Sequence, residues 1–172
     1  MEQNPTQPDR QRALRDTLGR FPTGVAIVTA MGRDARPVGM TINSFSSVSL
    51  DPPLIAWCID LRADSYPAFV NADRVAITVL AENQQDLAMR FASRGVDKFR
   101  GIEWTEAEAP LIAGGSAWLR CRRYRRISLG DHAMLIGEIV DFGQHTNEPL
   151  VFANGRFQHL RGETAADEVR AA

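Results

Sequence analysis

The chain has 172 residues, 44% apolar and 24% charged, the composition of one ordinary globular domain or at most two small ones. Its 20 basic and 21 acidic side chains nearly cancel, which argues against a sequence-independent nucleic-acid binder. Two cysteines are too few for a disulfide framework, no apolar run is long enough to span a membrane, and the opening MEQNPTQPDR lacks a signal-peptide core, so a reducing cytoplasm is the expected compartment.

Residues 1–8 carry two prolines and no periodicity, and are expected to be a loose tail. Ala13, Leu14, Leu18 and Phe21 then recur at three- and four-residue spacing. This predicts a short amphipathic helix from an Asp9 N-cap to Gly19 and Pro22. GVAIVTAM (24–31) is apolar on both parities and predicts a strand covered on both faces. The turn GRDAR joins it to PVGMTIN (37–43) as a hairpin. SFSSVSLDPP (44–53) is too rich in Ser and Pro for an inner strand and reads as a loop with at most a short extended stretch. LIAWCIDL (54–61) predicts another strand and SYPAFVNA (65–72) a short helix with Pro67 in its first turn.

RVAITVLA (74–81) predicts a further strand, and Asn83 is expected to cap a helix reaching about Ser93, with Leu87 and Phe91 on its buried face. Residues 94–115 read as irregular. Two long strands follow at 116–128 and 132–142 around the turn SLGD, then a hairpin at 149–160 around Asn154-Gly155. One domain over 9–161 is therefore expected between two frayed tails, 1–8 and 162–172.

At least six strands and two or three short helices, not alternating, exclude a doubly wound parallel sheet. A mainly β, antiparallel barrel with helices at its rim fits, because closure removes apolar edges. Strands 24–31 and 54–61 are apolar on more faces than one small barrel covers from inside, which points to a homodimer.

The familiar nucleotide cradles and the zinc-protease and serine-hydrolase motifs are absent. His132, His145 and His159 have no metal-ligand spacing, so no metal is expected and the chemistry falls to an organic cofactor. The stretch VGMTINSFSSVSLDPP (38–53) ends a strand in Thr41, Asn43, Ser44, Ser46, Ser47 and Ser49. These hydroxyls and the adjoining N–H groups suit a groove for a flat, hydrogen-bonding ring and its phosphate. The alternative is a Ser-rich surface loop.

RFPTGVAIVTA, RPVGMTINSFSSVSLDPPLIAWCID, VLAENQQDLAMRFAS, GDH and GRF, in that order, resemble the flavin reductase family over Arg12–Leu160. These are small NAD(P)H:flavin oxidoreductases, the reductase components of two-component flavin monooxygenases. The resemblance implies a split β-barrel, antiparallel and Greek-key-like, working as a homodimer with flavin near the subunit interface. It implies hydride transfer from NADH or NADPH to FMN or FAD, with reduced flavin diffusing to a partner monooxygenase, and neither nucleic acid nor membrane as partner. A flavin-binding electron carrier or storage module without a nicotinamide site is the second reading, and GDH favours the first.

Carried over by motif, Gly39, Met40, Thr41, Ile42 and Asn43 with Ser46, Ser47 and Ser49 resemble the wall for the flavin ring and phosphate. Cys58, Ile59 and Asp60 resemble a second wall, with Ser65 near it. Asn83, Arg90, Phe91, Lys98 and Phe99 resemble the group around the phosphate and the flavin tail, and His132 of GDH the residue that meets the nicotinamide. A phosphate needs a cation, which Arg90 or Lys98, the sole lysine, can supply. The competing roles are an Arg90–Asp86 pair on the helix surface, a core position for Phe91 and a plain strand start for His132.

Ala133 departs mildly from the family pattern, and WLRCRRYRR (118–126) carries five arginines. That strand reads either as a grip on an acidic partner or nucleotide, or as a solvent-facing strand balanced by Glu103, Glu106 and Glu108. Cys58 and Cys121 read as buried fillers rather than redox thiols.

Overall fold

The computed structural model describes residues 6–105 and 107–160; the tail expected at 162–172 and most of that expected at 1–8 lie outside the described residues. Helix α1 (Gln7–Leu18) starts earlier than its apolar spacing indicates. Thr6, not Asp9, is the N-cap: the Asp9 N–H donates to Thr6 Oγ1 at 3.4 Å, and the Thr6 N–H donates to Asp9 Oδ2 at 3.1 Å. Pro8 sits in the first turn, where its missing N–H costs nothing. No residue of α1 is buried, and its Leu14 and Leu18 face has no covering partner among the described residues.

The strands follow in order: β1 (Thr23–Gly24), β2 (Ala26–Met31), β3 (Pro37–Ile42), β4 (Ser46–Leu50) and β5 (Pro53–Asp60). Helix α2 (Tyr66–Asn71) leads to β6 (Arg74–Val79), a single 3₁₀ turn (Glu82–Gln84) and helix α3 (Gln85–Ala92). Then come β7 (Trp104–Thr105), β8 (Leu111–Ile112), β9 (Ala117–Leu129), β10 (His132–Gln144), β11 (Val151–Ala153) and β12 (Arg156–Gln158). Seven strands form one antiparallel sheet in the order β3-β2-β6-β9-β10-β5-β4. β1, β11 and β12 form a small second sheet, and β7 pairs with β8. No helix among the described residues is long and apolar enough to cross a membrane.

The mainly β, antiparallel class is as read from the sequence, but the main sheet is open: β3 and β4 end it. The closed ring of hydrogen bonds expected from the apolar strands does not form, because each edge is managed otherwise. The β3 edge is covered by α3 and the following loop, with Thr41 Oγ1 donating to the Ala88 carbonyl at 2.6 Å and Lys98 Nζ to the Gly39 carbonyl at 3.1 Å. β4 is five residues long, polar and interrupted by a bulge between Ser47 and Ser49, features that blunt an edge.

β2 is covered on both faces by its own chain. Val28 packs with Trp57, Phe69 and Ile77, while Ile27 packs with Leu80, Phe91 and Leu150. In β5, Ile55, Trp57 and Ile59 enter the first cluster, and Leu54 and Ala56 on the other parity are also buried. The double burial is as expected, but one chain supplies it, so these two strands call for no second subunit. The 44–53 segment does pair: Ser46 registers with Ala56 and Leu50 with Pro53, because the edge of β5 offers the groups that its composition could not reveal. At the last hairpin, Asn154 and Gly155 both have positive φ, 53° and 74°, as a two-residue primed turn requires.

Candidate functional site

A cleft of about 580 Å³ lies where the covered edge of β3 meets the end of β5, the start of α2 and the loop after α3. Gly39 allows that meeting. A Cβ there would come within 2.6 Å of the Phe91 ring, which is fully buried. Phe91 in turn meets Phe99 edge-on at 5.1 Å between centroids. Lys98 Nζ donates to the Gly39 carbonyl at 3.1 Å and to the Phe91 carbonyl at 2.9 Å, tying strand, helix and loop together. Burial pulls the Lys98 pKa below its ordinary value, and the nearby Asp64 charge opposes this. Ser65 precedes α2 and makes no capping bond; its hydroxyl reaches only the weak acceptor Met40 Sδ, at 3.7 Å.

Asp60 closes one end of the cleft. Arg62 donates to it from Nε at 3.1 Å, from Nη2 at 2.9 Å and from its backbone N–H at 2.8 Å. These bonds hold the Asp60 carboxyl well below the usual carboxylate range, with a small contribution from His132. His132 stands opposite Asp60 in the β10–β5 ladder, with its side chain 45% exposed. Its Nδ1 lies 2.7 Å from Asp131 Oδ1, and that bond lowers the Asp131 pKa. An ionised carboxylate only accepts, so Nδ1 carries a proton, and in the neutral tautomer this leaves Nε2 as an acceptor.

The cleft thus gathers Gly39, Met40, Thr41, Asp60, Ser65, Phe91, Lys98 and Phe99 of the residues singled out by sequence. It also takes Ala63 and Asp64, which the sequence reading did not single out, and the turn Ser93–Asp97, most of which it read as irregular. The available signal was Gly95, with φ of 71°, in a polar loop just before the sole lysine.

Other residues stand elsewhere. Ile42 and Ile59 alternate inward and are core. Asn43 is exposed beyond the end of β3. Ser46, Ser47 and Ser49 lie on β4, which starts four residues after the end of β3, and they are not part of the cleft wall. Cys58 registers with Met134 on the outer parity of β5, and its N–H donates to Ser44 Oγ at 3.0 Å. Asn83 is exposed inside the 3₁₀ turn, and no side chain caps α3; Gln84 instead closes the 3₁₀ turn, accepting from the Ala81 N–H at 3.0 Å and donating to the Ala113 carbonyl at 2.8 Å. Arg90 pairs neither with Asp86 nor with the cleft, and donates to the Arg100 carbonyl at 3.1 Å. Phe91 is both core and cleft wall.

The arginines of β9 are partly committed. Arg122 pairs with Glu138 at 2.8 Å and Arg123 with Asp73 at 2.6 Å. Of the expected counter-charges, Glu108 pairs with Arg74 instead, Glu103 makes no ion pair among the described residues, and Glu106 lies outside them. Cys121 is buried, which pushes its thiol up to about 12, as a filler requires; Cys58 is only half-buried, not the buried filler expected, although desolvation raises its thiol as well.

Comparison with known proteins bears on this geometry. A family profile described as a flavin reductase like domain matches residues 18–161. The chain is 39% identical over 151 residues to the FMN reductase (NADH) SmoA of Agrobacterium fabrum, covering 87% of this chain and 86% of that one. It is 44% identical over 133 residues to the reductase component of the flavin-dependent trigonelline monooxygenase of Acinetobacter baylyi, covering 76% and 43%. Several curated relatives are longer, and the chain spans 43% to 64% of their length. Among solved structures, the NADH:FAD oxidoreductase SgcE6 of Streptomyces globisporus, in complex with NAD and FAD fragments, superposes with a TM-score of 0.84 at 37% identity, covering 92% of this chain and 98% of that one.

Proposed function

The chain belongs to the flavin reductase family, and from that premise we propose that it is an NAD(P)H:flavin oxidoreductase. Hydride passes from NADH or NADPH to FMN or FAD, and the reduced flavin leaves for a partner monooxygenase. The observation that carries this reading is the Lys98 ammonium, half-buried in the wall of a cleft of about 580 Å³ and bonded only to carbonyls. A cation sunk among acceptors without a bonded carboxylate suits a phosphate, and the volume falls within the usual range for cofactor sites.

The residues present fit a flavin. Gly39, Met40 and Thr41 would flank it, Phe91 and Phe99 would give apolar wall, and Lys98 and the weakly engaged Ser65 hydroxyl would hold its polar end. His132, on the Asp60 side, would orient the nicotinamide through Nε2. The bound flavin supplies the redox chemistry. The chain's own residues then position and exclude water, the source of most of the rate gain in such a transfer. Asp60 is held ionised by Arg62 and so has no proton to give.

The open seven-stranded sheet is read here as one protomer's split barrel, with residues 9–161 as the functional domain. A homodimer is supported by apolar side chains left outside: Leu50 on β4 is 93% exposed and Phe142 on β10 is 73% exposed. A cytoplasmic location suits two free thiols. Steady-state NADH and NADPH oxidation with FMN, FAD and riboflavin offered in turn tests the activity. Saturable flavin-dependent turnover supports it, and no rate above the uncatalysed one with any pair refutes it.

A further inference from the structure

A second cleft, of about 520 Å³, shares no residue with the first. The Phe91–Phe99 pair on the first cleft continues to Trp104 on the second, with 5.9 Å between the Phe99 and Trp104 centroids. The reading of flavin chemistry leaves this second cleft without a task.

Its walls bring together Trp104, Trp118, Glu103, Arg120, Asp141 and His145. Arg120 and Asp141 are opposed in the β9–β10 ladder, beside the bulge that leaves Val140 without a partner in register. Neither they nor Glu103 form an ion pair among the described residues. Gly143 lets the Trp118 indole lie against β10, since a Cβ there would come within 2.7 Å of the ring. Trp118 is half-buried, packed also on Ala76, Ala109 and Leu111, and its remaining surface lines the cleft.

Each class of ligand meets these walls differently. A neutral apolar molecule would leave three charges unmatched. A simple anion would suit Arg120 but face Glu103 and Asp141; a simple cation would suit those two and face Arg120. Indole faces attract cations, and a guanidinium grips a carboxylate in two parallel bonds. We propose that this cleft binds a small zwitterion of the betaine class, its ammonium against Trp104, Trp118 and the two carboxylates, and its carboxylate on Arg120. The proposal does not depend on the flavin reading.

Isothermal titration with glycine betaine, tetramethylammonium and acetate tests it, with intrinsic fluorescence in parallel. Trp57 is 1% exposed, so a ligand-induced change reports the two cleft indoles. Betaine should bind saturably, and each half-molecule at least about tenfold more weakly, a difference of ~1.4 kcal/mol. Arg120→Gln should weaken betaine about tenfold, bind tetramethylammonium at least as tightly as the wild type, because a repelling charge is removed, and leave flavin reduction unchanged. Absence of saturable betaine binding, equal binding of betaine and one half, or an unaltered Arg120→Gln affinity would each overturn the proposal. Should that variant not fold, the wild-type comparison of betaine with its two halves decides alone.

Discussion

Lys98 Nζ donates 3.1 Å to the carbonyl of Gly39 and 2.9 Å to that of Phe91, so one ammonium joins the covered edge of the sheet to the helix and loop that enclose the cleft. Lys98→Met removes both bonds and the charge. It should cost about 1 kcal/mol of stability per bond and lower the affinity for FMN by at least about tenfold, while riboflavin, which has no phosphate, loses far less. Equal losses for the two flavins in fluorescence titrations would remove Lys98 from the phosphate site.

The same residue gives a pH dependence with a definite sign. Its pKa lies below the ordinary 10.5 because burial disfavours the charge. The folded state therefore gives up that proton before the unfolded state does, and stability from this group rises with pH between the lowered value and 10.5. FMN affinity runs the other way: it should fall as pH rises through the lowered value, because the cation is being lost. Riboflavin affinity should stay flat over the same window. A parallel decline for both flavins would point to a group other than Lys98.

Gly39→Ala should be costly out of proportion to one methyl group. The new Cβ would meet a fully buried ring at 2.6 Å, and Phe91 is backed by Phe99. Overpacking of this kind costs about 1–3 kcal/mol, and the displaced ring would enter the cleft. Thermal unfolding and flavin titration should therefore both worsen. A variant with wild-type melting temperature would mean that Phe91 moves freely.

His132→Ala should leave flavin affinity nearly unchanged and should raise the Michaelis constant for NADH, or slow hydride transfer, by roughly ten- to a hundredfold. His132→Asn should recover part of the loss, since an amide keeps a hydrogen bond without acting as a general acid. If both variants work at the wild-type rate, the imidazole serves only to start β10.

Leu50, at the outer end of β4, is nearly bare in the single chain. Leu50→Asp should shift a homodimer toward monomer in light scattering without lowering the melting temperature of the monomer, since no buried contact is lost. A wild-type chain that already runs as a 19.1 kDa monomer contradicts the dimer reading.

The sequence disclosed strands better than their surroundings. Double burial of β2 and β5 was legible in side chains apolar on both parities, as was the Asn154-Gly155 turn. What covers those strands was not legible, because packing of α3 and the β11–β12 hairpin on β2 is a tertiary fact. β4 was legible only as a short extended stretch outside the sheet's interior, which its edge position bears out; its pairing was not, because a Ser-rich segment becomes a strand only when a neighbouring edge supplies partners. At the site, motif resemblance found Gly39, Lys98 and Phe99, which the cleft brings together, and placed Ser46, Ser47 and Ser49 beside Gly39, whereas the cleft wall is made without them. Arg90 had the right charge for a phosphate, and its direction off α3, toward the Arg100 carbonyl, could not be read from spacing.

The central claim is hydride transfer from a nicotinamide to flavin held in the cleft around Lys98. Anaerobic stopped-flow mixing of the protein–FMN and protein–FAD complexes with NADH and with NADPH tests it most directly. At least one combination should bleach the flavin absorbance in a saturable phase far faster than free flavin, and Lys98→Met should diminish that phase at limiting FMN. Bleaching no faster than free flavin with every combination would contradict the account and leave a flavin carrier without a nicotinamide site.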